Sequence, residues 1–216
     1  IETKYNTFEN VNIKLDNFFY DNLNNSGDED TIKFHTLTFT FDFYKVDMKN
    51  SQRKVYFAYC YPYTYGYLRN FLNSLSFYKN YVLYEKIGTT LNDNPLILLC
   101  ISDFRDSEEV KAKKNCIFLT GRVHPGESNS SYVVHGLIEF LLSDSPLADK
   151  LRKTYIFKII PMLNPDGVIL GNFRMNTAGK DLNRMWVEAD PETSPTIFYT
   201  KQIIEKTLNT RKIYLF

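Results

Sequence analysis

His124 and Glu127 are the residues whose types and spacing first indicate chemistry. They lie at the two ends of His124-Pro125-Gly126-Glu127, between an apolar run and a helical pattern. Zinc accepts nitrogen and oxygen donors of this kind, and catalytic zinc sites use about three protein ligands and a water molecule. Pro125 and Gly126 favour a tight bend, which would turn both side chains toward one ion. The pair could equally form a surface ion pair or a helix cap, and the spacing alone leaves these alternatives open.

A second group of polar residues follows further along the chain. The segment Asn164-Pro165-Asp166-Gly167 has the composition of a turn. Beyond it, Arg174 could stabilise the negative oxygen that forms when water attacks a peptide carbonyl. Arg184 offers a planar fork that pairs bidentately with a carboxylate, and Asn183 can supply a further donor. Surface salt bridges are the alternative interpretation of both arginines.

Strands that alternate with helices must position these residues. Apolar repeats at helical spacing predict a helix around residues 68–75 and a second over 129–142, with Val133 on its apolar face and Ser128 or Asn129 as its cap. Two further helices are expected to begin at Ser145-Pro146 and Ser194-Pro195. Short apolar runs predict strands at residues 81–87, 96–101, 116–120, 155–160 and 212–216.

Strands separated by helices favour an α/β domain with a largely parallel or mixed sheet and flanking helices. In such sheets, sites form where loops leave the carboxyl ends of strands. The loops at residues 121–127 and 163–167 each follow a predicted strand. We therefore expect their polar residues to meet at one edge of the sheet.

The first 60 residues follow a different pattern. Residues 1–31 are polar and rich in Asn, with an exposed loop expected at residues 24–30. Residues 37–43 alternate apolar and polar side chains, which predicts a half-buried antiparallel strand, and residues 54–59 predict a second strand that completes a hairpin. We interpret residues 1–60 as part of a small antiparallel β domain and residues 61–216 as the α/β domain.

Composition and charge narrow the classes of function. The 26 Lys and Arg against 25 Asp and Glu leave a formal charge of +1, which gives no support for nucleic-acid binding by bulk charge. No stretch approaches the roughly 18 apolar residues of a membrane span, so we expect no membrane partner. The three cysteines include no Cys-x-x-Cys pair, and the N-terminus has no apolar signal core. We therefore expect a cytoplasmic protein.

Taken together, the motifs resemble those of the zinc metallocarboxypeptidases, specifically the cytosolic carboxypeptidase branch. The likeness covers residues 37–216, and it implies that residues 1–60 are part of a β-sandwich and residues 61–216 the N-terminal part of a catalytic domain. It is carried, in the right order and spacing, by Gly-Arg-Val-His124-Pro-Gly-Glu127-Ser, Asn164-Pro-Asp-Gly-Val, Gly-Asn-x-Arg174 and Gly-x-Asp-Leu-Asn183-Arg184-x-Trp186.

The resemblance implies a role for each matched residue. His124 and Glu127 match two of the three protein ligands of one zinc ion, and Arg174 matches the arginine that polarises the scissile carbonyl. Asn183 and Arg184 match the pair that binds the terminal carboxylate of the substrate. Enzymes of this branch remove C-terminal residues, notably glutamates from tubulin tails, by means of zinc-activated water and a glutamate base. The implied partners are therefore C-terminal tails of peptides or proteins, such as tubulin.

The third zinc ligand and the base glutamate of the family have no match in the sequence. His35 lies on the alternating β segment, and His135 lies on the predicted 129–142 helix, where it is expected to point away from Glu127. We therefore expect a chain that stops before the site is complete. As given, it would be catalytically inactive and would serve at most as a binding or interaction module.

Overall fold

The computed structural model describes residues 57, 58 and 60–216 in full, together with the strand backbone of residues 12–18 and 34–40. The chain divides into two compact units, Ile1–Tyr56 and Phe57–Phe216.

The first unit contains an antiparallel pair of strands. β1 (Asn12–Phe18) pairs with β2 (Phe34–Thr40), and Leu15 lies opposite Leu37 in the register. β2 confirms the strand predicted in this region, whereas β1 lies in a segment interpreted as polar, where the alternation of apolar residues is short. Residues 41–56 and 59 lie outside the described residues, and Phe57 and Ala58 are not in a strand, so the predicted hairpin partner at 54–59 stays a prediction.

The second unit alternates helices with strands, as the apolar pattern predicts. Two 3₁₀ turns, Leu75–Phe77 and Leu182–Arg184, accompany these elements. In chain order the elements are α1 (Tyr65–Ser74), β3 (Val82–Thr89), β4 (Pro95–Ile101), α2 (Glu108–Lys113), β5 (Asn115–Thr120), α3 (Ser128–Leu142), α4 (Pro146–Thr154), β6 (Tyr155–Ile160), α5 (Pro165–Leu170), α6 (Pro195–Leu208) and β7 (Ile213–Leu215).

The five strands of this unit form one mixed sheet in the order β3-β4-β6-β5-β7. β3, β4 and β6 are antiparallel neighbours, whereas β5 pairs in parallel with both β6 and β7. Parallel strands need a crossover, and α3 with α4 supplies the one between β5 and β6. The prediction of an α/β fold with a mixed sheet and flanking helices is confirmed.

Both faces of the sheet are buried, because successive side chains of a strand point to opposite faces. In β4, Leu99 joins an apolar cluster that includes Leu68 of α1 and Ile138 of α3. Its neighbour Leu98 joins a second cluster that includes Ile197 of α6. Helices therefore cover the sheet on both sides, and the near-continuous apolar character of the inner strands follows from this double burial.

Two details differ from the sequence-based expectation for α3. Its N-cap is Glu127, rather than Ser128 or Asn129, and no side chain caps it. Val133 was expected on the apolar face, but it is 70% exposed. The buried positions are instead Ser128, Ser131, Val134, Ile138, Leu141 and Leu142.

The helices α2 and α5 were not predicted. The turn expected at Asn164-Pro165-Asp166-Gly167 is the first turn of α5, since the Asn164 side chain accepts a hydrogen bond from the Gly167 amide and Pro165 occupies the first helical position. Among the described residues, no helix combines the length and the apolar character that crossing a membrane requires.

Candidate active site

The loops that carry the candidate residues lie side by side at one edge of the sheet. The Gly121 amide donates to the carbonyl of Ile160, and the Leu163 amide donates to the carbonyl of Gly121. The Asn164 amide then donates to the carbonyl of Arg122, which extends the parallel ladder of β5 and β6 into both loops. The expectation that these loops meet at the carboxyl ends of the strands is confirmed.

His124 and Glu127 face one another across a tight turn. The Glu127 amide donates to the carbonyl of His124, and the His124 Nδ1 atom lies 3.0 Å from Glu127 Oε1. The imidazole is buried, with the residue only 6% exposed, whereas the Glu127 side chain is 53% exposed. One donor atom is therefore fixed inside the protein and the other stands at its surface.

Asp181 fixes the orientation of the His124 ring. Its Oδ1 atom lies 3.0 Å from His124 Nε2, and its Oδ2 atom accepts a hydrogen bond of 2.8 Å from Arg174 Nε and forms an ion pair with Arg174 Nη2, also at 2.8 Å. Burial on its own raises the pKa of the Asp181 carboxyl, but hydrogen bonds from His124, Arg174 and the Asn183 amide outweigh it and lower that pKa. Each ring nitrogen of His124 thus faces a carboxylate at 3.0 Å, and a metal ion bound at Nδ1 would leave the Nε2 proton on Asp181.

This arrangement fits a metal ion between His124 and Glu127. Binding of a metal at Nδ1 requires the tautomer with the proton on Nε2, and Nδ1 then lies 3.0 Å from a second donor atom, Glu127 Oε1. Two donors on one tetrahedral zinc lie about 3.4 Å apart, which is close to this separation. A carboxylate on the outer nitrogen is the usual partner of a metal-binding histidine. Within the described part of the chain, no further His, Cys, Asp or Glu completes a group of three metal donors.

Arg174 reaches this site because its loop packs against the His-Pro-Gly-Glu turn. The Gly126 amide donates to the carbonyl of Phe173 over 2.7 Å. A Cβ atom at Gly126 would come within 2.8 Å of that carbonyl oxygen, and one at Gly167 would come within 2.4 Å of the Pro125 ring. Glycine is thus required at both positions by the close approach of three loops.

Asn183 and Arg184 are exposed residues of the 3₁₀ turn that follows Asp181. The Asp181 side chain caps this turn by accepting a hydrogen bond of 2.9 Å from the Asn183 amide. The Trp186 indole donates to the Asn183 side-chain oxygen over 3.2 Å. Among the described ion pairs, none involves Arg184. The structure therefore connects Asn183 to the His124 site through Asp181, and it places Arg184 on the same turn without a direct contact to His124.

Two acidic residues in the loops of the site make long-range contacts that sequence reasoning missed. Asp181 belongs to the Gly-x-Asp-Leu-Asn-Arg motif, but its partner His124 is 57 positions earlier in the chain. Asp166 is buried and accepts hydrogen bonds from the Thr90 hydroxyl, the Asn92 amide and the Asn94 side chain. The only sequence signal for either residue was a carboxylate inside an otherwise polar turn motif.

His135 belongs to a different environment, as expected. Its Nδ1 atom forms a hydrogen bond of 2.8 Å with the Tyr63 hydroxyl, and its ring stacks on Phe71. Its Nε2 atom lies 3.3 Å from Glu139 one helical turn away. The side chain of His35 lies outside the described residues.

A family model described as zinc carboxypeptidase matches residues 68–209, which include every candidate site residue. The chain belongs to the zinc carboxypeptidase family. The resemblance to the cytosolic branch is confirmed by curated relatives. The chain is 48% identical to mouse cytosolic carboxypeptidase 6 over 161 residues, an alignment that covers 74% of this chain and 29% of the relative. It is 40% identical to mouse cytosolic carboxypeptidase 3 over 196 residues, an alignment that covers 89% of this chain and 19% of the relative. The chain therefore spans less than a third of the length of these two curated relatives.

Solved structures of zinc carboxypeptidases share the fold. A putative carboxypeptidase A from Shewanella denitrificans aligns with a TM-score of 0.62 at 31% identity, over 68% of this chain and 37% of that chain. A metallo-carboxypeptidase from Burkholderia cenocepacia gives the same TM-score at 33% identity, over 67% and 38% respectively.

Proposed function

We propose that this chain supplies two zinc ligands and the substrate-binding residues of a carboxypeptidase that removes C-terminal residues from protein tails. The observation that carries the proposal is the His124 ring held between two carboxylates, with Nε2 on Asp181 and Nδ1 aimed at Glu127 Oε1. When Nε2 carries the proton, the Nδ1 lone pair is available to a metal ion that Glu127 Oε1 can bind as well. His124 and Glu127 are the proposed metal ligands.

A zinc ion at such a site supplies Lewis acidity and lowers the pKa of water. The protein residues hold and orient the other reactants. Asp181 keeps the proton on Nε2, so that Nδ1 stays available as a donor. Arg174, whose guanidinium already lies against Asp181, is proposed to donate to the carbonyl oxygen of the scissile bond as negative charge develops there.

The free carboxylate of the substrate is proposed to bind Asn183 and Arg184. Both are exposed on one 3₁₀ turn, and a guanidinium fork with an adjacent amide suits a planar carboxylate. Such a pair distinguishes the end of a chain from its interior, because an internal residue has no carboxylate to offer.

The proposed substrates are C-terminal glutamates of protein tails such as those of tubulin, in the cytoplasm. Lys180 and Arg184 are exposed on or beside the carboxylate-binding turn, and Arg174 is half-buried near them. These three cationic side chains favour an acidic tail over a basic one. The relatives named cytosolic carboxypeptidases support both the class of reaction and the location.

Calorimetric titration of the 216-residue chain with zinc tests the metal assignment. Two protein donors bind zinc more weakly than three, so we expect a dissociation constant in the micromolar range or above. His124→Ala should abolish the binding heat, whereas His135→Ala should leave it unchanged, because His135 bonds to Tyr63 instead. Submicromolar affinity would contradict a site built from two ligands, and equal heats from the wild type and His124→Ala would contradict the assignment of His124.

The alternative function is binding of C-terminal tails without hydrolysis. It draws on the same exposed residues, Asn183 and Arg184, which can bind a terminal carboxylate without taking part in its hydrolysis. An acidic peptide with a free C-terminus should then bind better than its amidated form, and Arg184→Ala should remove the difference. Hydrolysis of the free peptide by the chain would exclude this alternative.

A further inference from the structure

Arg122 is a buried cation in the 121–127 loop that carries the proposed zinc ligands (the metal loop), and the proposed mechanism does not use it. It is 6% exposed, and its backbone adopts a φ of 52°, in the left-handed region that residues other than glycine rarely occupy. A residue stays in such a conformation only where its surroundings over-determine it. The contacts of Arg122 must therefore favour this conformation strongly enough to offset the strain.

The Arg122 guanidinium is bound entirely by neutral acceptors. Its Nε atom donates to the carbonyl of Pro125 over 2.8 Å, and an Nη atom donates to the Ser131 hydroxyl over 2.9 Å and to the carbonyl of Tyr63 over 3.3 Å. None of the described ion pairs includes Arg122. Burial of a charge without an anionic partner costs free energy, so this arginine is not explained by stability alone.

The backbone of Arg122 is bound on both sides as well. Its amide donates to the Ser130 hydroxyl over 3.0 Å, and its carbonyl accepts the Asn164 amide over 3.2 Å. One residue therefore connects the metal loop with the first turn of α3, the segment before α1 and the loop after β6.

The contact with Pro125 determines the geometry of the metal donors. Pro125 lies between His124 and Glu127, so any movement of its carbonyl changes the separation of Nδ1 and Oε1. Ser131, the other main acceptor, lies in the helix whose N-cap is Glu127. We propose that Arg122 is a positioning residue of the zinc site, which fixes the metal loop against α3 and so sets the distance between its two donors. The role in zinc binding rests on the proposed function above, whereas the role in ordering the loop does not.

Three variants distinguish the contributions of the guanidinium contacts, the positive charge and the backbone strain. Arg122→Lys keeps a cation, but a single nitrogen cannot reach Pro125, Ser131 and Tyr63 together. Arg122→Gly removes the side chain and accepts the left-handed conformation without strain. Ser131→Ala removes one acceptor only and provides a mild variant. Arg152→Lys is the matched control, because Arg152 is another buried arginine, 4% exposed, that donates to the carbonyls of Leu141 and Ser143 away from the metal loop.

The first measurement is hydrogen exchange of two backbone amides in the metal-free chain. These are the Gly126 amide, which donates to the Phe173 carbonyl, and the Glu127 amide, which donates to the His124 carbonyl. The second is the zinc dissociation constant. In Arg122→Lys and Arg122→Gly we expect faster exchange at both amides and zinc binding weaker by about tenfold or more. Ser131→Ala should show smaller changes of the same sign. Arg152→Lys should lower the melting temperature while both readouts stay at wild-type values.

A purely structural role for Arg122 predicts that Arg122→Lys and Arg152→Lys lower the melting temperature alike and leave exchange and zinc binding unchanged. That result would overturn the proposal. If His124→Ala binds zinc as the wild type does, while the Arg122 variants still exchange faster at Gly126 and Glu127, the loop-ordering role of Arg122 stands and the assignment of His124 as a zinc ligand is refuted.

Discussion

At the scale of single residues, the site depends on one carboxylate that contacts two candidate groups at once. Asp181 accepts a hydrogen bond from His124 Nε2 through one oxygen and from Arg174 through the other. Its side chain also accepts the Asn183 amide and so caps the 3₁₀ turn. Asp181 therefore links the proposed metal donor of His124 to the proposed substrate-binding group of Arg174. A change at Asp181 should affect both.

Replacement of Asp181 by Asn tests this coupling. The amide keeps the shape of the side chain but loses the charge that orients the His124 proton and attracts Arg174. Because loss of such an outer partner weakens metal binding by about 10–100-fold, we expect a decrease of this size in zinc affinity by calorimetry. Asp103→Asn, at the other edge of the sheet, should bind zinc as the wild type does. Unchanged affinity in Asp181→Asn would show that the carboxylate does not orient His124.

At the scale of elements, three loops are packed so closely that glycine is needed where they meet. Gly126 lies against Phe173, and Gly167 lies against Pro125. The 121–127 and 171–176 loops cannot move independently, because the Gly126 amide bonds to the Phe173 carbonyl. This packing places the guanidinium of Arg174 beside the metal loop.

Gly126→Ala should separate these two loops. Its Cβ atom would lie 2.7 Å from the Phe173 ring and 2.8 Å from the Phe173 carbonyl oxygen. Overpacking of this kind costs about 1–3 kcal/mol, so we expect a lower unfolding free energy in urea and weaker zinc binding.

Gly136→Ala is the matched control for that substitution. Gly136 lies within α3, and a Cβ atom there would meet nothing within 4 Å. Alanine in a helix is favoured over glycine, so this variant should be more stable than the wild type by about 0.5–1 kcal/mol and should bind zinc normally. Equal effects of the two substitutions would refute the packing argument.

Some of the helices and strands could be predicted from sequence patterns alone, and others could not. β5 and β6 were predicted closely because a strand buried on both faces is a continuous apolar run bounded by polar loops. α5 was predicted as a turn, since Asn-Pro-Asp-Gly suits both a turn and a capped helix start, and only packing against Pro125 decides between them. The five candidate site residues were assigned from the sequence as motif members, and their roles stay predictions. Asp181 and Arg122 were missed as partners because their roles depend on contacts between distant segments.

At the scale of the whole molecule, the sheet separates the site from a charged cluster at its opposite edge. β4 runs antiparallel to β6, so the end of β4 lies at the start of β6, away from the loops that carry His124. There the buried Asp103 bonds to Arg105 through both oxygens, and the buried Lys114 pairs with Asp106. This end of the sheet provides no candidate ligand and is expected to affect stability alone.

The contribution of this end of the sheet to the free energy of unfolding should depend on pH in the acidic range. The hydrogen bond from Arg105 lowers the pKa of Asp103 from 3.8 to about 2. A carboxyl with a depressed pKa in the folded state stabilises the fold above its unfolded pKa and loses that contribution as the pH falls toward its folded value. Asp103→Asn should therefore be less stable than the wild type at pH 7, and the difference should shrink between pH 4 and pH 2. Thermal melts across this range measure it, and a constant difference would contradict the role of ionised Asp103.

The nitrogen NMR spectrum of the histidine rings during zinc titration tests the assignment of His124 most directly. We predict that zinc shifts the resonance of His124 Nδ1, while in the zinc-bound chain the Nε2 proton persists against Asp181. The His135 ring, which bonds to Tyr63, should not respond. Binding of zinc through His124 Nε2, or a His124 spectrum that zinc leaves unchanged, would contradict the central claim.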